Sequence, residues 1–365
     1  MTAQKNKKKI LYVASTESHL RRFHMPYIEA LRACAEVHLM AKGDRGAIDF
    51  DVPFEKSMLS LSNFRTILKI RKILRENRYD AVILNTSLAA FLVRAAMLFT
   101  RRRPFVHNIV HGYLFNEPVR SKKDRVLHLC ERILRRKTDM ISVMNAHDLE
   151  IAKRNKFCRG DVAFLYGMGV DMPTERPTPD PALRAQYAAD GALLCTFVGE
   201  LSTRKNQSFL IRAFDRLKRQ GLPVRLMLVG EGGEREALEA EIASRGLDGT
   251  VWLLGNREPV LPYLGITDLY VSASRIEGLP FNIMEAMACG LPILASDAKG
   301  QTDLLSESDG ALYREGDMDA FCAAMERFYK DGARGVGTCD YPILDRYRLD
   351  AVFEENLALM KKGWC

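Results

Sequence analysis

Short apolar runs alternate with segments of helical periodicity along the whole chain. In the first half, the apolar runs predict strands at Ile10–Ala14, Glu36–Met40, Asp80–Leu84, Phe105–Val110, Met140–Met144 and Val162–Tyr166. Between them, the periodicity predicts helices at Met25–Ala33, Phe64–Asn77, Leu88–Phe99, Asp124–Lys137 and Asp148–Asn155. Nearly continuous apolar strands that alternate with helices are typical of buried parallel sheets.

The second half repeats this scheme after a segment rich in glycine and proline. Strands are predicted at Leu193–Val198, Arg225–Val229, Val251–Leu254, Leu269–Ser272 and Ile293–Ala295. Helices are predicted at Gln207–Gln220, Glu234–Ser244, Pro259–Gly265, Pro280–Cys289, Asp319–Lys330 and Leu349–Lys361. The glycines and prolines of residues 167–181 are typical of an interdomain linker. We therefore predict an α/β protein of two doubly wound, Rossmann-like domains, residues 1–167 and 168–346, facing a central cleft.

Two carboxylates flank a predicted helix start in the second domain. Glu277 precedes the run Gly278-Leu279-Pro280, and Glu285 follows on the helix itself. Proline suits the first turn of a helix because its missing N–H would be unpaired there, and a helix N-terminus attracts phosphate. The segment is therefore a candidate site for a phosphate beside sugar or ribose hydroxyls. An ordinary helix with solvated glutamates has the same pattern, and the spacing alone does not separate the two interpretations.

Polar or glycine-rich loops also follow the neighbouring predicted strands. Arg204 and Lys205 stand in the loop Gly199–Asn206 after the first strand of the second domain. Gly230–Arg235 and Gly255–Glu258 follow the next two strands. Because parallel strands end at one edge of a sheet, these loops are expected to line the same rim as Glu277. Cations at such a rim suit a diphosphate, although Arg204 and Lys205 alone would fit a solvated helix start.

Charge is distributed unevenly between the two halves. Residues 1–165 contain 32 Lys and Arg against 16 Asp and Glu, whereas residues 166–365 contain 22 against 30. The basic half includes the clusters Arg101–Arg103 and Arg132–Lys137. Such clusters bind anionic membranes, nucleic acids or diphosphate-bearing acceptors, or they form a solvated basic face. We expect no nucleic-acid partner, because no nucleic-acid-binding module is visible.

The cysteines and histidines give no metal or disulfide pattern. The 8 cysteines are scattered without a Cys-x-x-Cys pair, which predicts reduced thiols in a cytoplasmic protein. The triplets Asp49-Phe-Asp51 and Asp317-Met-Asp319 do not follow a strand at the proposed rim, so we predict no metal and no cofactor. The segment Leu88–Thr100 is short and interrupted by Arg94, so no transmembrane helix is expected.

In the order and spacing of these loops, the chain resembles the retaining glycosyltransferases of family four, which have the two-domain architecture named GT-B. The resemblance is specific over roughly residues 190–320. It rests on Val198–Gln207, Leu228–Arg235, Asp268–Ser274 and Arg275–Pro292. Looser matches at Phe23–Tyr27, His111–Phe115 and Tyr166–Asp171 are similar to the branch that makes bacterial capsules, exopolysaccharides and other surface glycans. The resemblance also implies that the C-terminal helix, within residues 347–365, crosses back to the first domain.

The resemblance implies a role for each matching residue. Glu277 would lie against the transferred sugar, and His111 of the first domain would face that sugar as a second catalytic residue. Glu285 would hold the donor ribose, and Lys205 with Arg204 would neutralise the diphosphate. The remaining donor-binding positions, which offer backbone N–H groups or contact the base, are Gly199, Gly278, Leu279, Phe281, Asn256 and Arg257.

The chain departs from the family pattern at two positions. Glu200 stands where many members have an arginine that touches the diphosphate, so Arg204 would carry more of that work. Ser18 and His19 replace a glycine-rich loop after the first strand. His19 could contact donor or acceptor, but a hydrogen-bonded structural histidine is the favoured interpretation. His111 could likewise be an ordinary loop residue.

The resemblance implies transfer of a sugar from a nucleotide-diphosphate donor, which we expect to be a UDP-sugar, to a hydroxyl acceptor. Retention through a front-face route is a hypothesis, since no obvious base is present. We expect the acceptor to be a lipid-linked glycan, and the protein to be peripheral on the inner face of the plasma membrane. Two alternatives stay open: a nucleotide-sugar 2-epimerase and a non-catalytic nucleotide-sugar-binding subunit.

Overall fold

The structure is a computed structural model that describes residues 7–44, 46–54, 62–98, 100, 103–117, 119, 121–170, 175–306, 310–332 and 334–365. It divides into two compact units. Unit 1 comprises Met1–Asp171 and Arg346–Cys365, and unit 2 comprises Met172–Asp345. Some positions used in the sequence analysis lie outside the described residues, namely Phe99, Arg101, Arg102 and residues 171–174.

Unit 1 alternates strands with helices. Its strands are β1 (Lys8–Thr16), β2 (Ala35–Lys42), β3 (Phe50–Asp51), β4 (Ala81–Asn85), β5 (Phe105–Val110), β6 (Met140–Val143) and β7 (Val162–Phe164). Its first six helices are α1 (Glu17–Phe23), α2 (Met25–Arg32), α3 (Ser62–Asn77), α4 (Ser87–Ala96), α5 (Lys122–Leu134) and α6 (Ala146–Asn155). The strands form one parallel sheet in the order β3-β2-β1-β4-β5-β6-β7.

Unit 2 has the same alternation. Its strands are β8 (Leu193–Val198), β9 (Val224–Val229), β10 (Val251–Gly255), β11 (Leu269–Ser272), β12 (Ile293–Ser296) and β13 (Ala311–Tyr313). Its helices are α7 (Pro181–Ala188), α8 (Gln207–Arg219), α9 (Arg235–Ser244), α10 (Leu261–Gly265), α11 (Phe281–Ala288), α12 (Gln301–Leu305) and α13 (Met318–Asp331). The strands form a parallel sheet in the order β10-β9-β8-β11-β12-β13. The predicted α/β class with two doubly wound sheets is confirmed.

The apolar runs predicted as strands are buried in the cores of the two units. The central run Ile10–Ala14 of β1 is fully buried, as is Leu193–Phe197 of β8, which is expected when helices cover both faces of a parallel sheet. In unit 2, α8 packs Phe209, Leu210 and Phe214 into the sheet core, while its opposite face carries charged residues.

The last helix, α14 (Leu349–Lys361), belongs to unit 1. The amide of Asn356 donates to the hydroxyl of Tyr27 at 3.0 Å and to the carbonyl of Gly167 at 2.9 Å. The ring of Phe353 stacks on Tyr27 with centroids 5.1 Å apart. These buried contacts attach α14 to α2 and to the end of the first chain segment of the unit.

Several short elements escape the sequence pattern, namely α1, β3, α7, α12 and β13. Elements of two to eight residues show too few periods of apolar repetition for a pattern to identify them. At α11, the helix begins at Phe281, and Pro280 is its N-cap rather than its first residue.

The apolar segment Leu88–Thr100 includes helix α4. Arg94 in α4 is 1% exposed, and its guanidinium bonds both carboxylate oxygens of Glu131 at 2.7 and 2.8 Å. Helix α4 is therefore an internal helix of unit 1, attached to α5 by a buried ion pair. Among the described residues, no helix combines the length and the apolar character needed to cross a membrane.

Candidate functional site

The loops predicted to line one rim do follow adjacent strands of unit 2. The Gly199 loop follows β8, the Gly230 loop follows β9, the Gly255 loop follows β10, and the Glu277 loop follows β11. Because β10, β9, β8 and β11 are consecutive in the parallel sheet, all four loops leave the same edge. The sheet therefore gathers the donor-binding candidates of unit 2 in one region.

Glu277 is the centre of an ion-pair cluster at this edge. Its carboxylate is 2.7 Å from Nζ of Lys205 and 3.0 Å from Nη1 of Arg204. The Arg204 guanidinium also donates to the carbonyl of Ile276 at 3.1 Å. Glu277 is 6% exposed and Lys205 is 7% exposed, so both charges are largely removed from water. Two cations and one anion leave the cluster with one net positive charge.

The protonation state of Glu277 follows from these contacts. Burial acts to raise the pKa of the Glu277 carboxyl, because the anion loses hydrating water. The positive charges of Lys205 and Arg204 outweigh burial and hold that pKa below its ordinary value. Glu277 is therefore an anion at neutral pH. It can orient the two cations and stabilise positive charge near it, but it does not donate a proton.

Two glycines allow the loops after β8 and β9 to approach each other. A Cβ added to Gly230, which has a φ of +142°, would lie 2.1 Å from the carbonyl oxygen of Gly199. Gly199 itself has a φ of +153°, and a Cβ there would lie 3.4 Å from Cε of Lys205. The Gly199 N–H bonds the carbonyl of Val229 at 2.8 Å. The glycine at 199 therefore leaves space for the Lys205 side chain on its way to Glu277.

The first turn of α11 is held against the end of β8. The amide of Asn282 donates to the carbonyl of Val198 at 2.7 Å and to the hydroxyl of Tyr270 at 2.8 Å. The Tyr270 hydroxyl also lies 3.2 Å from the N–H of Val198. These bonds fix the N-terminus of α11 beside the Gly199 loop. The sequence analysis did not identify Asn282 or Tyr270, because each acts on a strand far away in sequence.

A second buried network supports the Glu277 loop from the β12 side. Gln301 donates to the hydroxyl of Ser296 at 2.8 Å, and Ser296 donates to the carbonyl of Ser274 at 2.6 Å. Gly300 has a φ of +81°, and a Cβ there would lie 2.5 Å from the carbonyl oxygen of Gly278. The loop after β12 therefore packs directly on the backbone of the Glu277 loop. Gly300 is a further residue that the sequence analysis missed.

The N-terminus of α11 differs in detail from the sequence prediction. The Phe281 N–H, expected to be offered to phosphate, donates to the carbonyl of Leu279 at 3.1 Å. Pro280, with φ −82° and ψ 89°, is the centre of this inverse γ-turn. A phosphate would have to replace that bond. Pro280 makes no side-chain cap hydrogen bond, and the positive end of the helix is oriented toward the loop of Gly278 and Leu279.

The other donor-binding candidates occupy the expected elements. Glu285 lies on α11 and is half-buried. Asn256 and Arg257 follow β10 and are exposed, and the Arg257 guanidinium lies 5.7 Å from the centre of the Tyr263 ring. Glu200, which stands at the family's arginine position, is also exposed. The structure thus puts these side chains on the loops and helix of one sheet edge without testing their roles.

His111 lies in unit 1, directly after β5, and has two histidine neighbours. Its ring centre is 4.9 Å from that of His19 and 5.4 Å from that of His24. Burial, reinforced by His19, lowers the pKa of His111 well below its ordinary value, and burial lowers the pKa of His19 to about 4. The interpretation of His19 as a fully hydrogen-bonded structural histidine is wrong, because its Nε2 is buried and has no partner among the described residues. His24 lies in the matching segment Phe23–Tyr27 but was not predicted as a site residue.

The two Asp-x-Asp triplets have structural roles. Asp49 accepts a hydrogen bond from the N–H of Leu39 at 2.7 Å. Asp317 is the N-cap of α13, where it accepts from the N–H of Ala320 at 2.9 Å, and Asp319 pairs with Arg216 at 2.6 Å. These contacts give Asp49, Asp317 and Asp319 roles in local structure. The 8 cysteines are all free.

Two protein-family models match the chain, one in each half. The model described as Glycosyltransferase Family 4 matches residues 27–167, and the model described as Glycosyl transferases group 1 matches residues 180–337. Together they span most of the residues that form the two sheets.

Individual proteins are similar over most of their length. EpsD of Bacillus subtilis, which is named as a glycosyltransferase, is 27% identical over 333 residues, covering 88% of this chain and 87% of EpsD. A protein of Escherichia coli named UDP-Gal:alpha-D-GlcNAc-diphosphoundecaprenol alpha-1,3-galactosyltransferase is 25% identical over 278 residues, covering 74% of this chain and 72% of its own length.

A solved structure shares the fold. Alr3699/HepE of Anabaena, crystallised with UDP and glucose, superposes with a TM-score of 0.75 at 20% identity, covering 97% of this chain and 99% of that chain. At this level of identity the likeness concerns the fold alone. With the two family matches and the two parallel-sheet units, it leads to one conclusion: the chain belongs to glycosyltransferase family four and has the GT-B fold.

Proposed function

We propose that this glycosyltransferase moves a sugar from a UDP-sugar to a hydroxyl of a lipid-linked glycan, with retention at the anomeric carbon, in the synthesis of a bacterial surface polysaccharide. The observation that carries the proposal is the buried cluster of Glu277, Lys205 and Arg204 beside the N-terminus of α11. The Escherichia coli relative, named for UDP-Gal and a diphosphoundecaprenol acceptor, supports both the donor and the acceptor class. The UDP complex of the Anabaena protein supports the nucleotide.

The leaving group is a nucleoside diphosphate, and the cluster suits its charge. Lys205 and Arg204 supply two positive charges, of which Glu277 compensates one. The positive end of α11 adds a favourable dipole. Groups fixed in a site of low dielectric stabilise developing charge more than the same groups in water. These residues neutralise the diphosphate without a metal ion at the donor site.

The chemistry available near Glu277 supports the proposal of retention. Its carboxylate is an anion held by two cations, so it is neither a proton donor nor a free base. In a front-face reaction, the bond from the anomeric carbon to the phosphate oxygen breaks, and the acceptor oxygen bonds that carbon on the same face. The acceptor proton passes to the departing phosphate. Glu277 stabilises the positive charge that develops on the sugar ring.

The other candidates complete the donor site. Glu285 bonds the ribose hydroxyls, and Asn256 with Arg257 contacts the uracil. Backbone groups of Gly199, Gly278, Leu279 and Phe281 surround the phosphates. His111 faces the transferred sugar.

A membrane-bound acceptor agrees with the surface of α5. Val126, Leu129 and Ile133 are 42, 56 and 51% exposed and follow one another at helical spacing. Exposed basic residues flank them, namely Lys122, Lys123, Arg125, Arg132, Arg135 and Arg136. A helix that exposes apolar residues between cations is typical of a protein lying on an anionic membrane. We propose that α5 contacts the inner face of the plasma membrane.

Vesicle binding tests this contact. The triple variant Val126→Ser/Leu129→Ser/Ile133→Ser should sediment with phosphatidylglycerol-containing vesicles at least about tenfold more weakly than the wild type, since each lost apolar contact is worth about 1.5 kcal/mol. Leu312→Ser, which alters an exposed leucine of unit 2, should bind like the wild type. A wild-type protein that stays in the supernatant at low salt would refute the membrane contact.

A ligand screen tests the donor. We expect UDP-sugars, and not GDP- or ADP-sugars, to raise the melting temperature of the purified protein in the presence of EDTA. The Glu285→Ala variant should lose this shift, and Glu236→Ala, which alters an exposed glutamate of α9, should keep it. NMR of the product then reports the anomer. An inverted product excludes the front-face route, and conversion of the donor without any acceptor identifies an epimerase instead.

A further inference from the structure

Three histidines of unit 1 meet at the carboxyl-end edge of its sheet. His19 lies in α1, His24 lies between α1 and α2, and His111 follows β5. Their ring centres are 4.9 to 5.4 Å apart, and one potential ligand atom of each residue lies within 4.8 Å of those of the other two. His19 and His111 are 92 residues apart in the sequence, and the fold brings them together.

Each of the three histidines has a buried ring nitrogen without a hydrogen-bond partner among the described residues. This nitrogen is Nε2 in all three rings. A buried polar atom without a partner is costly, and most such atoms in folded proteins are satisfied. Three such atoms on adjacent rings form a candidate ligand site.

We propose that His19, His24 and His111 bind one divalent transition-metal ion through their Nε2 atoms, with zinc as the favoured metal. Neutral imidazole is a common ligand of zinc, and three histidines with an open fourth position form a known class of zinc site. No acidic residue is needed, because the ion itself supplies the missing partner.

A hydrogen bond behind the cluster orients one ligand. The Tyr12 hydroxyl lies 3.0 Å from Nδ1 of His24 and 4.0 Å from the sulfur of Met360, to which it donates its proton. The hydroxyl oxygen can then accept the Nδ1 proton of His24, which leaves Nε2 with a free lone pair. Bonds of this kind fix the tautomer of metal-binding histidines. Tyr12 is therefore a positioning residue.

The spacing of the cluster is within reach of a zinc site. In a tetrahedral zinc site with Zn–N bonds of about 2.0 to 2.1 Å, the nitrogens lie about 3.3 Å apart. One potential ligand atom of each histidine lies within 4.8 Å of those of the other two, so modest side-chain rotation brings the three to that spacing.

Metal binding at the three histidines is measured without donor or acceptor, so it is independent of the proposed transfer reaction. The residues proposed to bind the diphosphate lie in unit 2 and are not part of this cluster. A bound ion would join α1, the α1–α2 junction and the loop after β5.

Metal titration of untagged protein tests the site. The exposed thiols of Cys34 and Cys365 are removed by Cys34→Ser/Cys365→Ser so that they do not compete for the ion. We expect one equivalent of Zn²⁺ per chain by calorimetry and elemental analysis after dialysis. Co²⁺ should give the visible spectrum of a nitrogen-ligated site of low coordination number. The His19→Ala and His111→Ala variants should lose stoichiometric binding, whereas His147→Ala, a histidine of unit 1 outside the cluster, should keep it.

A milder change distinguishes a metal site from a packing role. Tyr12→Phe removes one hydroxyl and should weaken Zn²⁺ binding roughly 10- to 100-fold while the fold is kept, as judged by circular dichroism. Absence of stoichiometric binding in the wild type would overturn the proposal. So would undiminished binding in folded His19→Ala and His111→Ala, or a cobalt spectrum with the thiolate charge-transfer band of a cysteine site.

Discussion

The two units build different chemistry at the same edge of similar sheets. In each, the first strand lies inside the sheet and the order then runs outward to both sides. At the carboxyl ends of its strands, unit 2 gathers a buried cluster of ions, Glu277 with Lys205 and Arg204. Unit 1 gathers three neutral histidines instead. The shared topology fixes where a site forms, and the loops determine what it binds.

The two clusters also satisfy their buried groups differently. Every charged group of the unit 2 cluster has an opposite charge within 3.0 Å. In unit 1, the Nε2 atoms have no partner among the described residues. Removing one partner of a buried ion pair destabilises a protein because it leaves an uncompensated charge, whereas buried polar atoms without partners are costly until a ligand binds them. Substitutions in unit 2 should therefore affect the free protein as well as the reaction.

The largest effect is expected from Lys205→Ala. The variant removes one of the two cations that we propose to face the leaving diphosphate, and it leaves the buried Glu277 carboxylate with Arg204 alone. Removing one such preorganised group typically lowers kcat about 10²- to 10³-fold. Steady-state kinetics with the identified donor measure this loss.

Two further variants sharpen the result. Lys205→Arg keeps the positive charge and should recover part of the rate, because guanidinium can still pair with Glu277. Lys218→Ala removes a cation of α8 whose ammonium bonds the carbonyl of Gly246, and it should leave kcat unchanged. A Lys205→Ala enzyme with wild-type kcat would remove Lys205 from the diphosphate site.

A smaller effect, on stability, is expected from Gly300→Ala. The added methyl would lie 2.5 Å from the Gly278 carbonyl, in a backbone conformation with φ +81°. Overpacking of this kind costs about 1 to 3 kcal/mol. Gly316→Ala is the matched control, because Gly316 has φ +80° and nothing within 4 Å of its added Cβ. Equal losses of unfolding free energy in the two variants would mean that Gly300 does not clamp the Glu277 loop.

Much of the fold could be predicted because its signals are local. Strands such as Ile10–Ala14 and Leu193–Val198 are nearly continuous apolar runs, and α8 repeats its apolar positions over several turns. Short elements such as α1 and β13 lack such repetition and were missed. Helix α11 begins one residue later than predicted, because Pro280 forms a γ-turn with Leu279 and Phe281 before the helix begins.

The two candidate sites also differ in how far the sequence could predict them. Glu277, Lys205 and Arg204 stand in loops with recognisable spacing, so the sequence identified them, although it did not predict that they pair across more than 70 residues. The histidine cluster has no linear signature. His19 and His24 are five residues apart and His111 is remote, so only the arrangement of β1 and β5 in one sheet brings them together.

The pH dependence of stability gives the smallest and most specific test of the ion cluster. The pKa of Glu277 is lower in the folded protein than its ordinary value, because Lys205 and Arg204 outweigh the effect of burial. A group with a depressed folded pKa stabilises the protein above its unfolded pKa, and that contribution is lost as the pH falls through the folded pKa. The wild type should therefore lose unfolding free energy below the ordinary pKa range of a carboxyl group.

Glu277→Gln isolates this contribution. The amide does not ionise, so the variant should be less stable than the wild type at pH 7, and the difference should shrink steadily on acidification to below pH 4, about the ordinary pKa of a glutamate. Urea unfolding at a series of pH values measures both proteins. Glu236→Gln, at an exposed position of α9, should follow the wild type throughout. A difference between wild type and Glu277→Gln that stays constant with pH would mean that the carboxylate is not held ionised by its two cations, and the contrast between a charged edge in unit 2 and a neutral one in unit 1 would fail.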